Sequence, residues 1–343
     1  MIYYRLDGAN LERTHWEETR MSSLEDVVHN TKIEIKLISE QTKKWEYTHK
    51  DEYGCVYGCI LYPGIFLWKN DFHMHYIPSE EYGDSRYLMI NCCLQGRCEV
   101  SLKNNKFVYL ERGILSMELN PPESVFNVPT GLYEGIQIIL DMDTLREHIP
   151  LAFKECGVDL LDIYHELLQQ DGSFLTGVST EWLSNAETLV YRVSTGEGTR
   201  EEYRFEVLHL LYMLRHGHAE VASQICYLTK GQKLIAMEIA TKLCANLKTS
   251  ITIEDLAKEY ALSPSSLEKY FSGVYGTSIF KYVREQRMEQ AAKLIGTTQR
   301  NVSDIAADVG YNNQGKFGSV FKKHFGSTPL EYRRLIYEKN KVE

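Results

Sequence analysis

Apolar residues recur with helical spacing in two related segments near the end of the chain. Residues 252–263 have the sequence TIEDLAKEYALS, and residues 301–312 have the sequence NVSDIAADVGYN. Each segment places apolar side chains at positions i, i+3, i+4 and i+7, which is one face of a helix. The matched pairs are Ile253 with Val302, Leu256 with Ile305, Ala257 with Ala306 and Tyr260 with Val309. The segments therefore predict two short amphipathic helices, forty-nine residues apart.

A second helix is predicted after each segment. Ser263 followed by Pro264 is a typical helix start, with serine as the N-cap and proline in the first turn. In the second copy Gly310 marks the turn, and Asn312 is the expected cap. Inward apolar positions then follow fifty residues apart, notably Leu267 with Phe317 and Phe271 with Phe321. We predict two helix-turn-helix units, at about 252–273 and 301–325, joined by a helix over 279–294.

The first half of the chain has a different pattern. Short segments rich in Val, Ile, Leu, Tyr and Phe are separated by turn residues, which predicts a β-sandwich or a small barrel. The expected strands include Ile65–Trp68, Tyr87–Leu94, Cys98–Leu102, Lys106–Leu110 and Gly135–Leu140. The fold class is therefore α+β, with an all-α C-terminal domain.

Helices are predicted after the strands. Asp143 is an expected N-cap, so the helical extension begins at about 143. Glu201–Leu214 is apolar around much of its circumference, which indicates burial on the sheet or against a partner subunit. Gly217 and Gly231 bracket an expected linker. The predicted domains are 1–225 and 226–343.

Charge distinguishes these two halves. The whole chain of 343 residues has a formal net charge of −9, which alone disfavours nucleic acid as a partner. Residues 1–225 carry 20 Lys and Arg against 35 Asp and Glu, a net charge of −15, whereas residues 226–343 carry 18 against 12, a net charge of +6. A basic module joined to an acidic one is typical of a DNA-binding domain attached to another domain.

Composition restricts the class of protein further. Hydrophobic residues make up 43% and charged residues 25% of the chain, as in ordinary globular proteins. No apolar segment approaches the roughly 20 residues that span a bilayer, and the N-terminus lacks the apolar core of a signal peptide. We expect a cytoplasmic protein whose eight cysteines are reduced thiols.

Outward positions of the two second helices are the expected DNA contacts. Asparagine and glutamine can pair with adenine, and lysine with guanine or phosphate. The lysine pair near the end of the second helix is expected to contact phosphates. The candidate DNA-binding residues are Ser265, Ser266, Lys269, Ser272, Asn313, Gln314, Lys316, Ser319, Lys322 and Lys323.

Residues 230–336 resemble the DNA-binding domain of AraC/XylS-type transcription regulators. The most specific stretch runs from Ile305 through Gly310, Phe317 and Phe321 to Tyr332-Arg333. The resemblance implies a cupin-like N-terminal sensor or dimerisation domain, and RNA polymerase, a small-molecule effector and a second copy of the chain as partners besides double-stranded DNA. Ser319 stands where the family often has arginine. Lys316 before the phenylalanine is similar to the siderophore-regulator (PchR-like) branch.

An alternative function is a metal-dependent cupin enzyme or a metal sensor. His73, His75 and Glu80 form H-x-H-x4-E, which resembles the first metal motif of catalytic cupins. A second histidine motif is missing, because no histidine occurs between His75 and His148. We therefore expect no enzyme activity, no cofactor and no metal, and an organic effector held near Phe66, Trp68, His73, His75 and Tyr76.

Overall fold

The computed structural model describes residues 31–77, 86–102, 106–119, 126–170, 172–217, 225–249 and 251–339. The chain divides into two compact units between Tyr227 and Leu228. Gly217 follows the last helix of the first unit, but Gly231 lies inside the first helix of the second. The expected linker boundary at Gly231 is therefore wrong.

The N-terminal unit is built on an antiparallel sheet. Its strands are β1 (Lys32–Leu37), β2 (Thr42–His49), β3 (Glu52–Tyr62), β4 (Ile65–His73), β5 (Tyr76–Ile77), β6 (Tyr87–Gly96), β7 (Cys98–Leu102), β8 (Lys106–Leu110), β9 (Ile114–Leu119), β10 (Phe126–Asn127), β11 (Tyr133–Asp141) and β12 (Ser173–Gly177). Eight of them form one sheet in the order β1-β2-β3-β4-β11-β6-β9-β12. Two short antiparallel ladders, β5 with β10 and β7 with β8, accompany it.

The two faces of this sheet have different neighbours. On one, which we call the helix face, residues such as Leu67, Ile90 and Ile138 share a buried cluster with the helices that follow. On the other, which we call the hairpin face, Phe72 and Tyr133 are buried with residues of β5, β7 and β8. Because both faces are covered, β6 is almost continuously buried, which explains why its sequence is apolar from Leu88 to Leu94 except at Asn91.

The helices of this unit are α1 (Met142–Glu147), α2 (Leu151–Glu155), α3 (Leu160–Gln169), α4 (Thr180–Thr195) and α5 (Arg200–His216). The helical extension begins where the sequence predicts, but Asp141 is the N-cap of α1, accepting from the backbone N–H groups of Asp143 and Thr144. Asp143 instead pairs with Arg86. The predicted N-cap, Asp143, therefore lies two residues after the observed one.

Helix α5 has one buried side and one exposed side. Tyr203, Val207 and Leu211 belong to the core on the helix face of the sheet. Phe205 and Tyr212 point away from that core, with 71% and 44% of their surface exposed. The broad apolar character of this segment therefore combines a core side with an uncovered aromatic side.

The C-terminal unit is helical. After the short strand β13 (Leu228–Thr229) come α6 (Lys230–Ala245), α7 (Ile253–Glu259), α8 (Pro264–Tyr275), α9 (Ile279–Thr297), α10 (Val302–Asp308), α11 (Gln314–Phe325) and α12 (Pro329–Lys339). These bounds contain both predicted helix-turn-helix units, α7–α8 and α10–α11, and the predicted connecting helix, α9. Within the described ranges of the chain, no helix is both long and apolar enough to cross a bilayer.

Candidate nucleic-acid interface

Both second helices begin with a side-chain cap. In α8 the hydroxyl of Ser263 accepts from the backbone N–H of Ser266 at 3.1 Å, and Pro264 occupies the first turn. In α11 the side-chain oxygen of Asn313 accepts from the N–H of Lys316 at 2.8 Å. The expected cap, Asn312, was therefore one residue too early. The extra residue in this turn shifts the repeat interval from forty-nine to fifty.

The turns before these helices share a left-handed residue. Ala261 has φ +52° and its counterpart forty-nine residues later, Gly310, has φ +81°. A Cβ on Gly310 would lie 2.7 Å from the carbonyl oxygen of Leu247 and 2.8 Å from the guanidinium of Arg287. The second turn therefore requires glycine for space as well as conformation.

Aromatic packing fixes α11 against the rest of its unit. Phe317 and Phe321 are fully buried with Met288, Ile295 and Ile305. The exposed positions of α11 are consequently held in a defined direction, since rotation of the helix would expose two phenylalanines. The helices α8 and α11 also end alike, at the left-handed glycines Gly276 and Gly326.

The candidate residues of α8 form a mainly uncharged surface. Ser265, Lys269 and Ser272 are exposed at i, i+4 and i+7, and Ser266 is half-buried. Glu268, which neighbours them, accepts from the backbone N–H of Ile279 at 3.1 Å and so caps the next helix. Lys269 is therefore the exposed cation of α8.

The candidate residues of α11 form a basic surface. Gln314, Lys316, Ser319, Lys322 and Lys323 are all exposed, as is Asn313. The hydroxyl of Ser319 donates to the carbonyl of Gly315 at 3.0 Å, so it must rotate before it can donate to a base, although it can accept without rotating.

The lysines of both helices are available to an anion. Within the described part of the chain, Lys269, Lys316, Lys322 and Lys323 form no ion pair. Their positions differ between the copies, because Lys316 corresponds to Ser266 and Lys322 to Ser272. The two helices therefore present different chemistry at equivalent positions.

Helix α9 connects the two copies without a break. Its 19 residues correspond to roughly 28 Å at 1.5 Å per residue. Arg287 on this helix donates from Nε to the carbonyl oxygen of Leu247 at 2.9 Å, and Glu289 lies 3.0 Å from the imidazole of His324 on α11. These contacts tie α9 to the segment before the first copy and to the second copy.

The structure corrects the predicted grouping of histidines with Phe66 and Trp68 in the N-terminal unit. Phe66 and Trp68 lie on the hairpin face of β4. Because successive residues of a strand point to opposite faces, His73 lies on the other face. There its ring stacks on Tyr53, with the centroids 4.7 Å apart.

His75 and Tyr76 are placed elsewhere. The Nδ1 atom of His75 lies 2.5 Å from the carboxylate of Glu52. Tyr76 is half-buried and pairs with Asn127. Glu80 lies outside the described residues, and within the described residues no three His, Cys, Asp or Glu side chains form a metal-binding group. Within the part of the motif that the structure describes, His73 and His75 therefore have separate acidic neighbours, Asp71 and Glu52.

A row of polar side chains crosses the hairpin face instead. Gln137 of β11 pairs directly with Asn91 of β6, and Asn91 with Ser116 of β9. Asn91 accepts from the hydroxyl of Tyr133 at 2.6 Å, and Gln137 accepts from the amide of Asn70 at 3.4 Å. All are nearly buried. The signal that sequence reasoning missed is the presence of polar residues among the hairpin-face positions of strands that are otherwise largely apolar.

A buried carboxyl group lies at one end of this row. Glu118 is 7% exposed, and its nearest partner is the hydroxyl of Ser116, which donates to it at 2.7 Å. Burial raises the pKa of Glu118 to about 7. This group is therefore able to donate or to accept a hydrogen bond near neutral pH.

Known proteins resemble part of this chain. Residues 256–335 match a family model described as a helix-turn-helix domain. Regulatory protein SoxS of Escherichia coli K12 is 32% identical over 105 residues, which are 31% of this chain and 97% of SoxS. The transcriptional activator AarP of Providencia stuartii is 30% identical over 105 residues, or 31% of this chain and 78% of AarP. The arabinose operon regulatory protein of E. coli K12 is 34% identical over 91 residues, which cover 26% of this chain but only 31% of that protein.

Proposed function

This chain belongs to the AraC/XylS family of DNA-binding transcription regulators, and we propose that α8 and α11 bind one operator in two successive major grooves. One observation carries the proposal: two capped second helices, held in one unit, expose their polar positions while their aromatic residues are buried. Successive major grooves on one face of B-DNA are separated by about 34 Å. Helix α9, of comparable length, joins the two copies.

The exposed residues of α11 divide into two roles. Gln314 and Lys316, in its first turn, contact base edges. Lys322 and Lys323, in its last turn, contact phosphates, which positions the helix without selecting a sequence. In α8, Lys269 supplies the positive charge, and Ser265 and Ser272 supply neutral hydrogen-bonding groups.

Protection mapping of a selected operator tests this arrangement. We expect each monomer to protect two short blocks one helical turn apart. Lys316→Ala should relax preference at particular base pairs by about 1–3 kcal/mol. Lys322→Ala with Lys323→Ala should weaken binding to every sequence and reduce the salt dependence by up to about two phosphate contacts. A single protected block, unchanged when the α11 lysines are removed, would contradict the use of both helices.

We also infer that the N-terminal unit senses an organic effector on the hairpin face. The support is the buried row of Gln137, Asn91 and Ser116 beside Trp68 and Glu118. Burying polar groups costs stability unless they are hydrogen-bonded. A few convergent polar groups beside aromatic side chains are typical of small-molecule sites. The effector class that fits is a small molecule with an apolar ring and several hydrogen-bonding groups.

Thermal-shift screening tests the effector site. A panel of aromatic and polyhydroxylated compounds is scored for an increased Tm of the whole chain. A compound that binds at the hairpin face should lose its effect in Asn91→Leu and keep it in His73→Ala, which lies on the opposite face. The reverse pattern would favour the histidine side of β4 and contradict the proposed site.

Two protein partners complete the proposal. We propose that the exposed side of α5, with Phe205 and Tyr212, contacts a second copy of the chain. We further propose that the operator-bound protein contacts RNA polymerase.

A further inference from the structure

An exposed apolar residue and an exposed arginine follow each of the two proposed recognition helices, α8 and α11. Phe280 in α9 is 78% exposed, the most of any large hydrophobic side chain among the described residues. Leu330 in α12, fifty residues later, is 67% exposed. Four positions beyond them, Arg284 and Arg334 are both exposed. The internal repeat therefore duplicates this pair together with the recognition helix before it.

The first pair lies beside the candidate interface. Phe280 and Arg284 line a cleft of about 830 Å³ together with Lys316 and Asn313 of the second copy. Thr252, at the start of α7 in the first copy, lines the same cleft. The cleft therefore lies between the two copies and adjoins the first turn of α11.

Internal packing does not account for these two arginines. Arg287, one turn further along α9, donates to the carbonyl of Leu247, and Arg333 donates to the carbonyls of Ile295 and Arg300. Arg284 and Arg334, by contrast, form no hydrogen bond or ion pair within the described residues. Each helix thus uses one arginine for the fold and leaves a second one facing solvent.

We propose that Arg284 and Arg334 each bind a backbone phosphate of the operator, while Phe280 and Leu330 pack against the adjoining sugar edges. The inference rests on the proposed function, because it requires α8 and α11 to lie in successive major grooves. The DNA backbone is the occupant that the positive charge and the continuity with Lys316 favour. Arg284, between the copies, contacts the segment between the two protected blocks. Arg334, after the second copy, contacts the backbone beyond the second block.

Substitution of the arginines tests the two contacts separately. Arg284→Ala and Arg334→Ala should each weaken binding to operator and to unrelated DNA by a similar factor. Each should lower the slope of log K against log salt concentration by about one, and the double variant by about two. Lys293→Ala is the matched control, because it removes an exposed charge from α9 nine residues after Arg284, on the opposite side of that helix.

Phosphate-ethylation interference locates each contact. Arg284→Ala should lose the signal between the two blocks and Arg334→Ala the signal beyond the second, while the other signals remain. Arg284→Lys should retain the salt slope, since a phosphate accepts any point charge. Phe280→Ser should weaken binding and leave the slope unchanged.

The outcomes distinguish this inference from the proposed function. Unchanged slopes in both arginine variants, with the two-block footprint intact, would overturn the inference and leave the proposed function standing. A single-block footprint of the wild type would overturn the proposed function itself. A loss of affinity for only one operator sequence would also overturn the inference, because phosphate contacts are independent of sequence.

Discussion

Two substitutions on α5 should separate folding from self-association, because one should disrupt only the contact between subunits and the other should unfold the unit. Leu211 is 1% exposed within the core of the N-terminal unit, whereas Phe205 is 71% exposed on the other side of the helix. The sequence leaves open whether Glu201–Leu214 packs on the sheet or against a second subunit, and the structure places Leu211 in the core. Phe205→Glu is therefore the variant that should give a folded monomer, and Leu211→Glu should unfold the unit.

The size of the core effect follows from burial. Truncation of a buried leucine to alanine costs about 2–5 kcal/mol. For a unit of this size each kcal/mol lowers Tm by about 2–4 °C, so Leu211→Ala should lower it by about 4–20 °C. Leu211→Glu should cost more, because it also buries a carboxylate without a partner. Phe205→Glu should change the free energy of unfolding by no more than about 0.5 kcal/mol, as at other exposed positions.

Calorimetry and sedimentation provide the two measurements. Sedimentation velocity at micromolar concentration should show a dimer for the wild type and a monomer for Phe205→Glu. In calorimetry, the Tm values of the two proteins should be nearly equal when they are extrapolated to low protein concentration. A matched control, Leu168→Glu, changes a leucine that is 53% exposed on α3 and should leave the dimer intact. A wild type that is already monomeric would refute the proposed subunit contact, and a stable Leu211→Glu variant would refute the assignment of Leu211 to the core.

Two further predictions concern a cap and a buried acid. Asn313→Ala should destabilise the C-terminal unit by about 1 kcal/mol in calorimetry, because it removes the cap of α11. The control variant Asn312→Ala should have little effect. Equal effects of the two substitutions would contradict the assignment of the cap. The pKa of Glu118 is raised to about 7, so the folded state binds more protons than the unfolded state between about pH 4.3 and 7. Its contribution to stability should therefore fall by about 4 kcal/mol as pH rises through that window. Glu118→Gln should flatten the pH dependence of urea unfolding, and an unchanged profile would show that Glu118 ionises normally.

The helix-turn-helix units are predictable because their determinants are local. Apolar spacing in α7 and α10, the Ser263-Pro264 start and the left-handed Gly310 act within a few residues of each other. The cap of α11 was predicted one residue too early because two adjacent asparagines have the same capping chemistry. Only the path of the inserted residue decides between Asn312 and Asn313, and the sequence does not contain that geometry.

The proposed effector site was less predictable because it depends on pairing between distant strands. Gln137, Asn91 and Ser116 are adjacent only because β11, β6 and β9 pair in one register. His73, at the end of β4, and His75, two residues later, are close in sequence, which suggested a shared centre. The chain bends after His73, however, and each histidine has its own acidic neighbour. Proximity along the chain was therefore a poor guide where β topology determines the neighbours.

The differences between α8 and α11 determine what kind of operator a monomer selects. Two copies of one helix pair would bind two identical half-sites if their exposed residues matched. Here the first-turn position occupied by Ser266 in α8 is Lys316 in α11, and Lys269 in α8 corresponds to Ser319. Lysine in the first turn favours guanine, whereas serine discriminates weakly between bases. A monomer should therefore bind a site whose halves differ, with the stricter base preference and the stronger salt dependence in the half bound by α11. Such a site has a direction, so its orientation relative to the promoter should fix which side of the protein faces the promoter.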